Sequence, residues 1–114
     1  MAFLPSMFVL CFLLSLTPGP PPPPMTLEDV RDTKVKKMGA ALKYSLRDPG
    51  SVQWLTIYAN DRADIICFEY RAKNGFGGFN IEQTAVVNEE FGDWQKYCST
   101  PPANNLTHLK RYIY

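Results

Sequence analysis

The sequence predicts an α+β fold in which one N-terminal amphipathic helix packs on an antiparallel sheet of three to four strands, held by one disulfide. Three observations support this prediction. Apolar residues recur at helical spacing over residues 27–47. Three runs rich in β-branched and aromatic residues then follow, separated by turn signals. Two cysteines, Cys67 and Cys98, lie beyond the N-terminal apolar segment.

An apolar leader covers residues 1–17 of the 114. All 12 Lys and Arg and all 11 Asp and Glu lie beyond Met25. An uncharged apolar segment of this length is typical of a signal peptide and short for a membrane span. We therefore predict an exported protein, periplasmic or envelope-associated. Three fates of the leader stay open: cleavage, lipidation at Cys11, or retention as a membrane anchor.

A Pro-rich linker follows at residues 18–25, where an extended polyproline-type spacer is expected. The α+β domain is predicted over residues 26–98 and a C-terminal tail over residues 99–114. The tail either adds an edge strand or stays loose, and the sequence does not decide between these alternatives.

The helix is predicted from about residue 27 to residue 47. Thr26 is a good N-cap, and Asp29 stands in the capping-box position. Asp48-Pro49-Gly50 ends the helix, because proline disfavours helical backbone in the preceding residue and glycine lets the chain turn.

Strands are predicted over residues 52–59, 64–73 and 79–87. Asn74-Gly75 is the strongest short-range hairpin signal, and we take it as a two-residue loop. This loop would place Tyr70 opposite Phe79 and Phe68 opposite Ile81. The helix should then cover a sheet face that carries five apolar residues, namely Ile66, Phe68, Tyr70, Phe79 and Ile81.

Residues 89–98 are expected to form a short helix or an irregular return that ends at Cys98. A disulfide between Cys67 and Cys98 is favoured by export, and would stabilise the domain by about 3 to 4 kcal/mol in the chain-entropy model. The alternative is two free thiols, one of them catalytic, but the only histidine is His108 in the tail.

Composition argues against several function classes. The net charge of +1 offers no field for binding nucleic acid, so no nucleic-acid partner is expected. No metal-ligand or cofactor motif is present in the sequence, and we predict neither. Glu69 and Glu82 fall on one predicted strand-pair face, which keeps a small hydrolase as an alternative.

Two stretches carry a family resemblance: LRDPGS at residues 46–51, and Cys67 followed by AKNGFGGF at residues 72–79, with Trp94 and Cys98 closing the match. The chain resembles a family of small bacterial and phage-borne envelope proteins, lipoprotein-like and without an assigned activity. The resemblance implies an envelope location and supports the disulfide. This sequence departs from that pattern at Phe68, where a small residue is expected, and in its longer tail.

We predict a non-enzymatic binding or accessory protein for an unknown protein or envelope component, attached to the membrane if the leader is retained. The expected contact surface is the hairpin Lys73, Asn74, Gly75, Phe76, Gly77, Gly78 and Phe79. Phe76 either contacts a partner or folds back over the core. The functional alternatives are a small inhibitor or immunity-type protein against a cell-wall hydrolase, and a small hydrolase.

Overall fold

Helix α1 spans Leu27–Ser45 in the computed structural model, which describes residues 18–114. Thr26 and Asp29 form a reciprocal capping box, with each side chain accepting from the other's backbone N–H at 3.1 Å. The box satisfies two N–H groups that a helix start otherwise leaves free. Its buried face carries Val35, Met38 and Leu42. The predicted helix is confirmed. The predictions for the leader and Cys11 lie outside the described residues.

Residues 18–114 form a sheet of five antiparallel strands, in the spatial order β4-β3-β2-β1-β5. They are β1 Gln53–Ala59, β2 Ile65–Lys73, β3 Phe79–Val87, β4 Glu90–Gly92 and β5 Asn104–Asn105. The three long strands match the prediction, but the predicted total of three to four strands is wrong. The two additional strands are 3 and 2 residues long, too short to show an alternating pattern in the sequence.

The main core lies between the sheet and a cover formed by α1 and the C-terminal chain. Phe68 is fully buried at its centre, and the Trp54 ring lies 5.3 Å from the Phe68 ring and 5.6 Å from the Tyr70 ring. A 3-10 helix, Thr107–Tyr112, follows β5. Leu109 and Ile113 are buried in this core. The C-terminal chain therefore adds an edge strand and then packs as part of the fold.

A second, smaller core lies on the face of the sheet turned away from α1, which we call the reverse face. Helix α2, Trp94–Cys98, covers one end of this face, and Asp93 caps it by accepting from the Gln95 backbone N–H. Cys67 and Cys98 form a disulfide there, with 5.8 Å between their Cα atoms. Both cysteines are buried. The predicted disulfide is confirmed.

The hairpin register differs from the prediction. Lys73, rather than Tyr70, pairs with Phe79, so the register is displaced by three residues and the loop holds five residues, 74–78. An odd displacement turns the side chains of β3 to the other face, because side chains alternate along a strand. Ile66, Phe68 and Tyr70 face α1 as predicted. Placing Phe79 and Ile81 on that face was wrong, since both lie exposed on the reverse face.

Candidate binding hairpin

The loop between β2 and β3 is closed by one side chain. Asn74 Oδ1 accepts from the backbone N–H groups of Phe76 at 2.9 Å and Gly78 at 3.1 Å. The Asn74 backbone N–H also donates to the Gly78 carbonyl at 2.8 Å, and its carbonyl accepts from Gly77 at 3.2 Å. Four hydrogen bonds to one residue hold the loop in a defined shape. An asparagine side chain commonly substitutes for backbone groups in this way.

The glycines of the loop serve different purposes. Gly77 has φ of 84°, a left-handed conformation that a side chain disfavours. Gly75 makes room for its neighbour: Arg47 Cζ lies only 3.3 Å from the point a Gly75 Cβ would occupy. The Asn-Gly pair is therefore a turn signal, but Asn74 and Gly75 do not form the predicted two-residue loop.

The base of the loop is tied to the turn after α1. The Lys73 backbone N–H donates to Ser51 Oγ at 3.0 Å, and that hydroxyl donates to the Asp48 carbonyl at 2.8 Å. The turn belongs to the short 3-10 helix Pro49–Ser51. The two stretches that carry the family resemblance therefore meet in space, although they are distant in sequence.

Phe76 is the most exposed aromatic residue of the hairpin, at 99% of its full accessible surface. It does not fold back over the core, which was the alternative to a partner contact. An aromatic side chain in this position gains nothing from burial in the isolated protein. Its ring is therefore available to a partner.

Phe79 and Ile81 extend the apolar surface from the loop along β3, exposed by 41% and 65%. Arg71 Cζ lies 5.1 Å and Lys73 Nζ 5.9 Å from the centre of the Phe79 ring, within the range of cation–π attraction. Ile81 lies outside the predicted site. A five-residue loop, instead of the predicted two-residue loop, places the Ile81 side chain on the exposed reverse face. The length of the loop is therefore the feature that would have identified Ile81 as part of this surface.

The hairpin end of the molecule is basic. Arg47, Arg71 and Lys73 are exposed there, and none of them belongs to the ion pairs formed within residues 18–114. Burial raises the pKa of Tyr70 on the α1 side of this hairpin, the hydrogen bond between the Tyr70 and Thr84 hydroxyls lowers it, and the nearby Glu82 carboxylate raises it.

Glu69 and Glu82, the two acids on which the hydrolase alternative depends, do not form a pair. Glu69 lies on the reverse face, where its carboxylate accepts from Gln83 Nε2 at 2.9 Å. Glu82 lies opposite Tyr70 on the other face. The shared face predicted for Glu69 and Glu82 is wrong, because it depended on the two-residue loop.

The described part of the chain offers no second kind of site. Residues 18–114 contain no cluster of potential metal ligands and no pocket. Within the same residues, no helix is both long enough and apolar enough to cross a bilayer. The chain matches no protein-family model, no curated protein and no solved structure. The resemblance to phage-borne and bacterial envelope proteins stays a prediction.

Proposed function

We propose that this protein is a non-enzymatic binding or accessory protein, exported to the envelope, that engages its partner through the hairpin Lys73–Phe79. The observation that carries the proposal is the loop itself. Phe76 is almost fully exposed on a backbone that Asn74 holds in place. A rigid aromatic anchor loses little conformational entropy on binding, and aromatic residues are enriched among the residues that dominate interface affinity.

The orientation of the domain supports presentation of the hairpin to a partner. Lys37, in the middle of α1, pairs with Glu89 at the β3–β4 turn, with Nζ and Oε1 3.6 Å apart. Arg47, just beyond the C-terminal end of α1, lies beside Gly75. The N-terminus of α1 at Thr26, and the linker before it, therefore lie at the end of the domain away from the hairpin. A leader held in a membrane would leave the hairpin pointing outward.

The disulfide supports the proposed compartment. Disulfides persist in oxidising environments such as the periplasm and are rare in the cytosol. The Cys67–Cys98 bridge joins α2 to the central strand β2. A protein built around this bridge is suited to the envelope, whether its leader is cleaved, lipidated at Cys11 or retained.

The proposal is tested by truncating Phe76 in the tagged full-length chain. Phe76→Ala should abolish capture of the partner from envelope fractions while leaving the melting temperature unchanged, because the side chain contacts no core residue. Leu27→Ala is the control, since Leu27 is 55% exposed at the opposite end of α1. Partner capture that is equal in wild type and Phe76→Ala would refute the proposal.

A second candidate function uses the same loop. The loop is held in shape by the hydrogen bonds of Asn74, and the Phe76 ring protrudes from it. A loop of this kind can enter the cleft of an enzyme, as an inhibitor or immunity-type protein does. This candidate predicts a one-to-one complex with a cell-wall hydrolase and loss of that enzyme's activity on binding. A captured partner without hydrolase activity would exclude it and leave the first proposal standing.

A further inference from the structure

Among the described residues 18–114, none pairs with the outer edge of strand β3 over Phe79–Thr84. β2 pairs with β3 along all nine residues, but β4 covers only the last three, Ala85–Val87. The open segment is six residues long, which corresponds to about 20 Å of strand. Its backbone N–H and C=O groups on that side are available for a further strand.

The opposite edge of the sheet is covered over the last three residues of β1, and before them the strand carries a register shift between Trp54 and Thr56. β5 pairs with the end of β1 at Tyr58 and Ala59. Further along β1, the Ile57 carbonyl accepts from the Leu106 N–H at 2.7 Å, and the Ile57 N–H donates to Thr107 Oγ1 at 3.1 Å. Within residues 18–114, the stretch on β3 is therefore the longest regular strand edge without a partner.

The open edge lacks the usual protection against pairing. Exposed edges commonly carry lysine, proline or a bulge. The sequence of β3 is FNIEQTAVV, without lysine or proline, and its register with β2 is unbroken. Its one charged residue, Glu82, lies on the α1 side, whereas Phe79 and Ile81 expose apolar surface on the reverse face. Such an edge favours association.

We propose that the open edge of β3 pairs antiparallel with the same edge of a second copy of this chain, with the two-fold axis at Ile81. Ile81 then lies beside its equivalent, and Phe79 beside Gln83 of the second copy. A register centred on Glu82 would place two carboxylates opposite each other, which is unfavourable. The register centred on Ile81 pairs residues 79–83 and stops before Ala85, where β4 begins.

Charge complementarity identifies the second copy as the occupant. The hairpin end carries the cations Arg47 and Lys73, neither of them in an ion pair within the described chain, whereas Arg71 lies level with Ile81 at the proposed axis. The other end of β3 leads into an acidic turn, NEEFGD at residues 88–93, in which Glu89 pairs with Lys37 and Glu90 has no ion pair among the described residues. Antiparallel pairing brings the basic end of each copy towards the acidic end of the other, and the two-fold axis repeats this attraction.

Site-specific cross-linking tests the register in the full-length chain, in cells, with Cys11→Ser to remove the leader thiol. Ile81→Cys should cross-link to itself with a short bismaleimide. Gln83→Cys should not, since two copies of residue 83 lie about 14 to 15 Å apart in this register, so the dimer yield should differ by about tenfold. Equal yields at the two positions, or none at position 81, would overturn the proposal.

A second cross-linking experiment tests whether the open edge of β3 is the surface that pairs. Differently tagged Phe79→Cys and Gln83→Cys chains should cross-link only to each other. Adding Ile81→Lys to both should lower that yield by about tenfold, because a charged lysine protects an edge. Tyr44→Lys, at a residue exposed by 67% on α1, should leave the yield unchanged. An unchanged yield with Ile81→Lys would contradict edge pairing.

Different variants test the proposed dimer and the proposed partner site, so either proposal can be refuted without the other. Phe76 lies on the loop outside the paired window, so Phe76→Ala should abolish partner capture and leave cross-linking at position 81 intact. Gln83→Lys, in the paired window and outside the hairpin Lys73–Phe79, should do the reverse, with cross-linking read from Ile81→Cys. If Phe76→Ala abolished cross-linking at position 81, the pairing about Ile81 would be wrong, whatever the outcome of the capture experiment.

Discussion

Removal of the disulfide should cost about as much stability as truncation of a large core side chain. Cys67 and Cys98 are separated by 31 residues. In the chain-entropy model a loop of this length removes 2.1 + 1.5R ln 31, about 12 cal/mol/K, from the unfolded chain. At 25 °C this corresponds to about 3.7 kcal/mol. Domains of this size have a free energy of unfolding of about 5 to 15 kcal/mol, so Cys67→Ala with Cys98→Ala should leave a marginal fold.

The effect is measured by urea unfolding followed by circular dichroism. At about 5 °C per kcal/mol, the melting temperature of the double variant should also fall by about 15 to 20 °C. Both cysteines are buried, so truncation also removes packing. Reduction of the wild-type protein serves as the control, because it breaks the bridge and keeps both sulfurs. A loss below about 1 kcal/mol in both cases would refute a role for the bridge in global stability.

Three further changes test the core, the helix start and the buried phenol. Phe68→Ala should lower the free energy of unfolding by about 3 to 5 kcal/mol in urea titrations, because a fully buried ring leaves a cavity. Thr26→Ala should cost about 1 kcal/mol and reduce helical ellipticity, since it removes the capping box. The raised pKa of Tyr70 comes mainly from burial. Its stabilising contribution is therefore fully present below its ordinary value of 10.0 and is lost as pH rises from there through the folded pKa. Alkaline unfolding scans of Tyr70→Phe should lack this loss, and a loss unchanged from wild type would show that another group causes it.

Elements with a repeating pattern were predictable from the sequence. Helix α1 shows apolar residues at helical spacing between a capping box and a proline, and its observed end at Ser45 lies two residues before the predicted end at 47. The three long strands begin within one residue of their predicted starts. In each case the local capping or turn residues and the pattern of buried apolar residues predict the same element, and such agreement makes a sequence prediction most reliable.

The hairpin register was not predictable from the same pattern. Pairing through a two-residue loop would have gathered Phe79 and Ile81 with the other apolar residues, so the hydrophobic pattern favoured it. The hydrogen bonds of Asn74 instead close a five-residue loop. The core between the sheet and α1 is completed by residues far along the chain, including Leu109 and Ile113. The tail shows no long periodic segment, and its contribution to the core depends on tertiary packing.

The central claim is that Phe76 is the point of contact with a partner. A photo-cross-linking phenylalanine analogue at position 76 of the full-length chain, activated in living cells, tests it most directly. We predict a covalent adduct with one partner from position 76 and none from position 27, which lies at the far end of α1. No adduct at position 76, or the same adducts from both positions, would contradict the claim.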